Sequence, residues 1–122
     1  MNGKTILVLA ALLVTARAAA AQRTTEQFIP VGQSPGISGR VSYIGAITAV
    51  DPPRRTFTVR GDSGAQTIKV IDRTRIWLDR SAERRTNEVG GMADLRVGRR
   101  VEVKFVDARV RDTADWIKVV ER

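Results

Sequence analysis

The chain has 122 residues, with 21 Lys and Arg against 13 Asp and Glu, a formal charge of +8, and neither His nor Cys. That length suits one domain of ordinary size. The missing His and Cys remove the commonest transition-metal ligands and the usual nucleophile–base pairs, and they exclude disulfides. Enzymatic activity and a bound cofactor are therefore not expected.

The opening reads as an export signal. Lys4 precedes an almost unbroken apolar run, Ile6 to Ala16, and Ala19 and Ala21 take the two small-residue positions of a cleavage site. A membrane span needs about 20 apolar residues, and Arg17 ends this run too early. Residues 1–21 are thus read as a cleavable signal peptide, and the mature protein as periplasmic or secreted, with no stable membrane anchor. Loss of Lys4 and Arg17 lowers the charge from +8 to +6. Residues 22–38 hold Pro30, Pro35, Gly32 and Gly36 among Ser, Thr and Gln, the composition of a disordered leader. Phe28, Ile29 and Val31 within it offer a means of tacking part of it onto the domain.

Residues 39–122 form the folded domain. Arg40 to Val50 is a long first strand with Gly45 in its middle, where a bend or bulge is expected. Asp51-Pro52-Pro53 supplies turn chemistry. Phe57 and Val59 then alternate with Thr56, Thr58 and Arg60, and Ile68 and Val70 alternate with Thr67 and Lys69. Period-two patterning bounded by Gly, Pro and Asp marks half-buried antiparallel strands. Arg60-Gly61-Asp62-Ser63, which spells a cell-adhesion tetrapeptide, is read as part of the turn between those two strands. Arg75 to Leu78 is a further short strand. Asp79 to Gly91 is the least regular stretch, a long loop with one helical turn, and the most mobile region expected. Asp94 to Val97 should turn and bury Leu95, with Gly98 at positive φ. Val101, Val103 and Phe105 point inward and Arg100, Glu102 and Lys104 outward. Asp107 to Asp115 is a polar connection, and Trp116 to Val120 is the last strand, with Lys118 facing out. Five or six strands with almost no helix predict an all-β, antiparallel, OB-like barrel, closed so that no long edge is left open.

The segments Ile47-Thr48-Ala49-Val50-Asp51-Pro52, Arg55-Thr56-Phe57-Thr58-Val59, Asp94-Leu95-Arg96-Val97-Gly98-Arg99-Arg100-Val101-Glu102-Val103 and Trp116-Ile117-Lys118-Val119 resemble a family of small exported bacterial domains of unknown function. The resemblance runs from about residue 39 to 120 and implies an OB-like barrel and export. It brings no catalytic residues with it.

Three Arg doublets stand at turns or strand starts: Arg54-Arg55, Arg84-Arg85 and Arg99-Arg100. OB barrels hold anionic strands with basic loops and aromatic platforms. The doublets are therefore candidate anion-binding residues, with Trp77 and Trp116 as candidate stacking residues. In the opposite reading, the arginines are solvated or paired with acids and the six aromatic side chains fill the core. Asp107, Asp112 and Asp115 are interleaved with Arg109 and Arg111, which favours a solvated hairpin over a calcium loop. Lys69, Lys104 and Lys118, at outward positions, do not suggest a Ser–Lys dyad. The expectation is an exported β-barrel binding module. Its alternatives are a polyanion- or nucleic-acid-binding protein with an Arg-rich face, whose partner is an anionic polymer, and an accessory component of an envelope assembly, whose partner is an envelope protein.

Overall fold

The alternating stretches close into a barrel in the computed structural model, which describes residues 25–122. The signal peptide assigned to residues 1–21 lies outside the described residues. The strands are β1 (Ser42–Asp51), β2 (Thr56–Gly61), β3 (Gly64–Lys69), β4 (Arg75–Asp79), β5 (Glu88–Val89), β6 (Arg100–Phe105) and β7 (Ala114–Val120). They lie in the order β3-β2-β1-β6-β7-β4-β5.

Seven strands stand where five or six were expected. The break at residues 71–74 separates β3 from β4 as expected, and the additional strand is β5, which the irregular loop contributes by pairing with β4. The ring closes where Lys69 bridges Thr113, its amide donating to the Asp112 carbonyl at 2.8 Å. β4 then runs parallel to β7, whereas the other pairings between strands of the described residues are antiparallel. The chain between them is long enough to return in the same sense.

The irregularity expected at Gly45 falls instead between Ile47 and Ala49. The extra residue there allows Ile47 and Val50 both to reach the interior. Gly45 serves a different need, because a Cβ there would collide with the Arg60 carbonyl of β2.

One dry interior takes Phe57 and Val59 from β2, Ile68 from β3, Val101, Val103 and Phe105 from β6, and Ile117 and Val119 from β7. Leu95, thrust in by the 3₁₀ turn Met92–Asp94, joins them. Gly98 takes φ +92 just before β6, in the left-handed region that a side chain disfavours.

Outside the barrel lies a second layer, formed by residues 25–41, which correct the expectation of a disordered leader. They cross β6, β7 and β4 as a strap, and the sheet meets them with polar side chains. Strand pairing places Glu102 beside Lys118 and Lys118 beside Trp77 on this outer surface. The Val31 and Gly32 amides donate to Asp79 Oδ2 and Glu102 Oε1 at 2.8 and 2.9 Å. Ser38 and Ser42 hydroxyls each donate to Glu102 Oε2 at 2.7 Å. Lys118 Nζ donates to Glu26 Oε1 at 2.7 Å and lies over the Trp116 ring. Glu102 and Lys118 point away from the core as expected, but the strap leaves them only 0% and 1% exposed. Removing a charge from water is costly unless a partner is in place, and each of these has one.

The loop after β4, read as irregular and mobile, carries anchoring contacts of its own. Asn87 is buried, accepting from the Arg80 amide at 2.7 Å and donating to the Gln27 carbonyl at 3.0 Å. Arg80 is ion-paired with Glu88 at 2.8 Å. Polar anchors of this kind leave no hydrophobic periodicity to read.

Two stability measurements test this architecture. Phe57→Ala should cost about 3–5 kcal/mol in denaturant unfolding; an unchanged midpoint would show that the strand register is wrong. Glu26→Ala leaves Lys118 buried and unpaired and should cost about 3–5 kcal/mol, whereas adding Lys118→Met should recover most of it. A double variant no more stable than the single would refute the pair as the anchor.

Candidate anion-binding face

The three doublets do not converge. Arg54 and Arg55 stand in the β1–β2 turn, Arg54 near Asp51 at 3.7 Å and Arg55 paired with Asp72 at 2.7 Å. Arg84 ends the 3₁₀ turn Ser81–Glu83 with φ 56, and Arg85 approaches Glu83 at 3.8 Å. Arg99 donates to the Asp94 carbonyl at 3.0 Å. Arg100 differs: it is exposed on the outside of β6 and, among the described residues, has no ion-pair partner.

Trp77 and Trp116 are not recognition platforms. They are 4% and 1% exposed, their ring centroids 5.8 Å apart, and Ile37 of the strap packs with them. Tyr43, Phe57 and Phe105 are buried as well, which leaves Phe28 as the exposed aromatic ring of the described residues. The tryptophans point out of the barrel, as alternation requires, and it is the strap that removes them from solvent.

Among the described residues, the other half of the barrel's outer surface remains open. Strand pairing sets Ala65, Arg60, Ala46 and Arg100 in one row across β3, β2, β1 and β6. The next row holds Thr67, Thr58 and Ala49, and the last holds Lys69, Thr56 and Asp51. Thr58 and Thr67 hydroxyls lie 3.2 Å apart, and the Thr48 hydroxyl approaches the Thr58 carbonyl at 3.5 Å. Arg60, Lys69 and Arg100 are exposed and not ion-paired among the described residues. The only acid in the three rows, Asp51, sits at the rim beside Arg54. The result is a low, hydroxyl-bearing surface with uncompensated positive charge.

At the end of this face lies a cleft of about 610 Å³, lined in part by Ser42, Tyr43, Asp62, Ser63, Arg100 and Arg111. The Tyr43 hydroxyl closes its inner wall, donating to the Gly64 carbonyl and accepting from the Gly61 amide at 3.0 Å. Arg111 is held in place: it has φ 56, its Nε donates to the Ala108 carbonyl at 3.1 Å, and its guanidinium lies over Phe105. Two guanidinium groups at a polar cleft can take up an oxyanion through paired N–H donors.

Sequence reasoning found Arg100 through its doublet but passed over Arg60, Lys69 and Arg111. The signal for the first two was present in the outward registers Thr56-Thr58-Arg60 and Ala65-Thr67-Lys69. Arg111 left none, because only the folding of the β6–β7 connection brings it near Arg100. Among the described residues no group of three acidic side chains is placed to hold a metal ion, the Asp107–Asp115 stretch included. Asp107 instead accepts from the Arg109 amide at 2.9 Å, and Asp115 pairs with Lys104 at 3.4 Å.

No curated protein matches the sequence. Two solved structures are similar to it. A Cu(II)-bound tryptophan-to-alanine variant of CusF from Escherichia coli is 15% identical, covering 65% of this chain and 89% of that one, with a TM-score of 0.46. Silver(I)-bound CusF is 15% identical, covering 65% of this chain and 95% of that one, with a TM-score of 0.45. A domain family described as of unknown function matches residues 44–118, from within β1 almost to the end of β7, and leaves the strap outside. Since the match spans more than half the chain, this protein belongs to the DUF5666 family of domains of unknown function.

Proposed function

We propose that this protein is an exported, non-catalytic binding module that holds a phosphate-bearing polymer of the cell envelope against the open face of β1, β2 and β3. The observation that carries this reading is the trio Arg60, Lys69 and Arg100, uncompensated on one surface of hydroxyls and small side chains. Unpaired guanidinium groups suit phosphate, and threonine hydroxyls suit phosphate or sugar oxygens. Export is supported by the signal-like opening. The envelope polymer is favoured over nucleic acid because single strands are gripped by stacking bases on aromatic rings, and this face offers none. An accessory role in an envelope assembly draws less support, since of the two end strands β5 is only two residues long and β3 is tied at Lys69 to Thr113.

The test is titration with lipopolysaccharide and with a single-stranded oligonucleotide at two salt concentrations. Three charge contacts predict roughly a twentyfold loss of affinity between 50 and 200 mM salt on an anionic strand. Replacing Arg60, Lys69 and Arg100 together by Ala should abolish lipopolysaccharide binding with Tm unchanged, whereas Arg84→Ala with Arg85→Ala should leave it intact. The proposal fails if lipopolysaccharide shows no salt-sensitive binding, or if the Arg84/Arg85 pair matters equally. Tighter binding of the oligonucleotide would transfer the face to nucleic acid.

A further inference from the structure

Arg100 stands at the seam between the open face and the strap. On one side it pairs with Ala46 of the open surface and lines the cleft. On the other, its guanidinium rests against Gly32 of the strap: a Cβ built on Gly32 would lie 3.3 Å from Nη2. Gly32 is itself fixed, its amide donating to Glu102 Oε1 at 2.9 Å. Glu102 in turn accepts at 2.7 Å from the hydroxyl of Ser42, which lines the same cleft. Glycine suits this position twice, since φ there is +81 and a Cβ would press on the Arg100 guanidinium, which would have to give by a few tenths of an ångström.

We infer that Gly32 is a positioning residue: the strap, pinned by Glu102, uses its bare backbone to hold the Arg100 guanidinium toward the cleft. The inference rests on the anion-binding reading of the face and assigns the strap a part in it. A free arginine side chain must be immobilised when it binds an anion, which costs affinity, and a wall against its guanidinium removes part of that cost beforehand. Strap and ligand are thereby linked, so a docked strap tightens binding and a bound anion steadies the strap.

The structure supplies its own control. Gly36, also in the strap, has φ +75 and nothing within 4 Å of its would-be Cβ. Gly32→Ala and Gly36→Ala thus carry a similar backbone strain, and only the first pushes on Arg100. Lipopolysaccharide affinity at low salt should fall about tenfold in Gly32→Ala, the weight of about 1.4 kcal/mol, and stay at the parental level in Gly36→Ala. In an Arg100→Ala background, Gly32→Ala should cost nothing further. Iodide quenching of Trp77 and Trp116, which the strap covers, should match the parent in both glycine variants.

Equal losses in the two variants would overturn the inference. So would a further loss in the Arg100→Ala background, or exposed indoles in Gly32→Ala, which would make the effect a detached strap. A parent protein that binds no lipopolysaccharide removes the face and the inference together, whereas parental binding that ignores Gly32→Ala removes the positioning role alone.

Discussion

Two neighbouring backbone amides, Val31 and Gly32, bound to carboxylates on β4 and β6, are the constraint on which the outer half of the molecule depends. Between those carboxylates lies Lys118 of β7, whose charge is met from the strap by Glu26. Buried ionic groups of this kind add little net stability compared with apolar residues of similar size. Their effect is positional. A strap shifted by one residue would leave a charge buried and unpaired, and that penalty selects a single docking.

That docking divides the barrel's outer surface into two unlike parts. Under the strap, Trp77, Trp116, Glu102 and Lys118 are buried and stabilise the second layer. Beyond it, the surface of β1, β2, β3 and the start of β6 stays open among the described residues, with threonine, alanine and the cations Arg60, Lys69 and Arg100, which have no ion pair there. Ionic residues common to both parts of the outer surface thus have opposite fates. Lys118 is structural because the strap crosses it, and Lys69 is exposed because no described segment does.

The barrel itself was legible in the chain. Phe57-Val59, Ile68-Val70, Val101-Val103-Phe105 and Ile117-Val119 alternate with polar residues, and alternation has one meaning when a single face must be dry. Gly98 and the buried Leu95 were likewise readable, because turn geometry is local. The parallel β4–β7 pair and the β5 strand were not, since pairing partners far apart in sequence leave no periodic trace. The strap was legible only in part: Val31, a tacking point in the sequence, is buried, but the segment also contains Pro, Gly, Ser and Gln, and its path is fixed by hydrogen bonds to Asp79 and Glu102 rather than by an apolar stripe.

The candidate site divides in the same way. By itself the sequence determined which charged side chains leave the barrel, because strand alternation assigns Arg60, Lys69, Arg100, Glu102 and Lys118 to the outside, while it left Trp77 and Trp116 open between core and surface. Only the tertiary structure decided which of those outward residues meet solvent. A second layer laid across β6, β7 and β4 covers some rows and spares others, and its path is set by carboxylates and amides many residues apart, which no local pattern encodes.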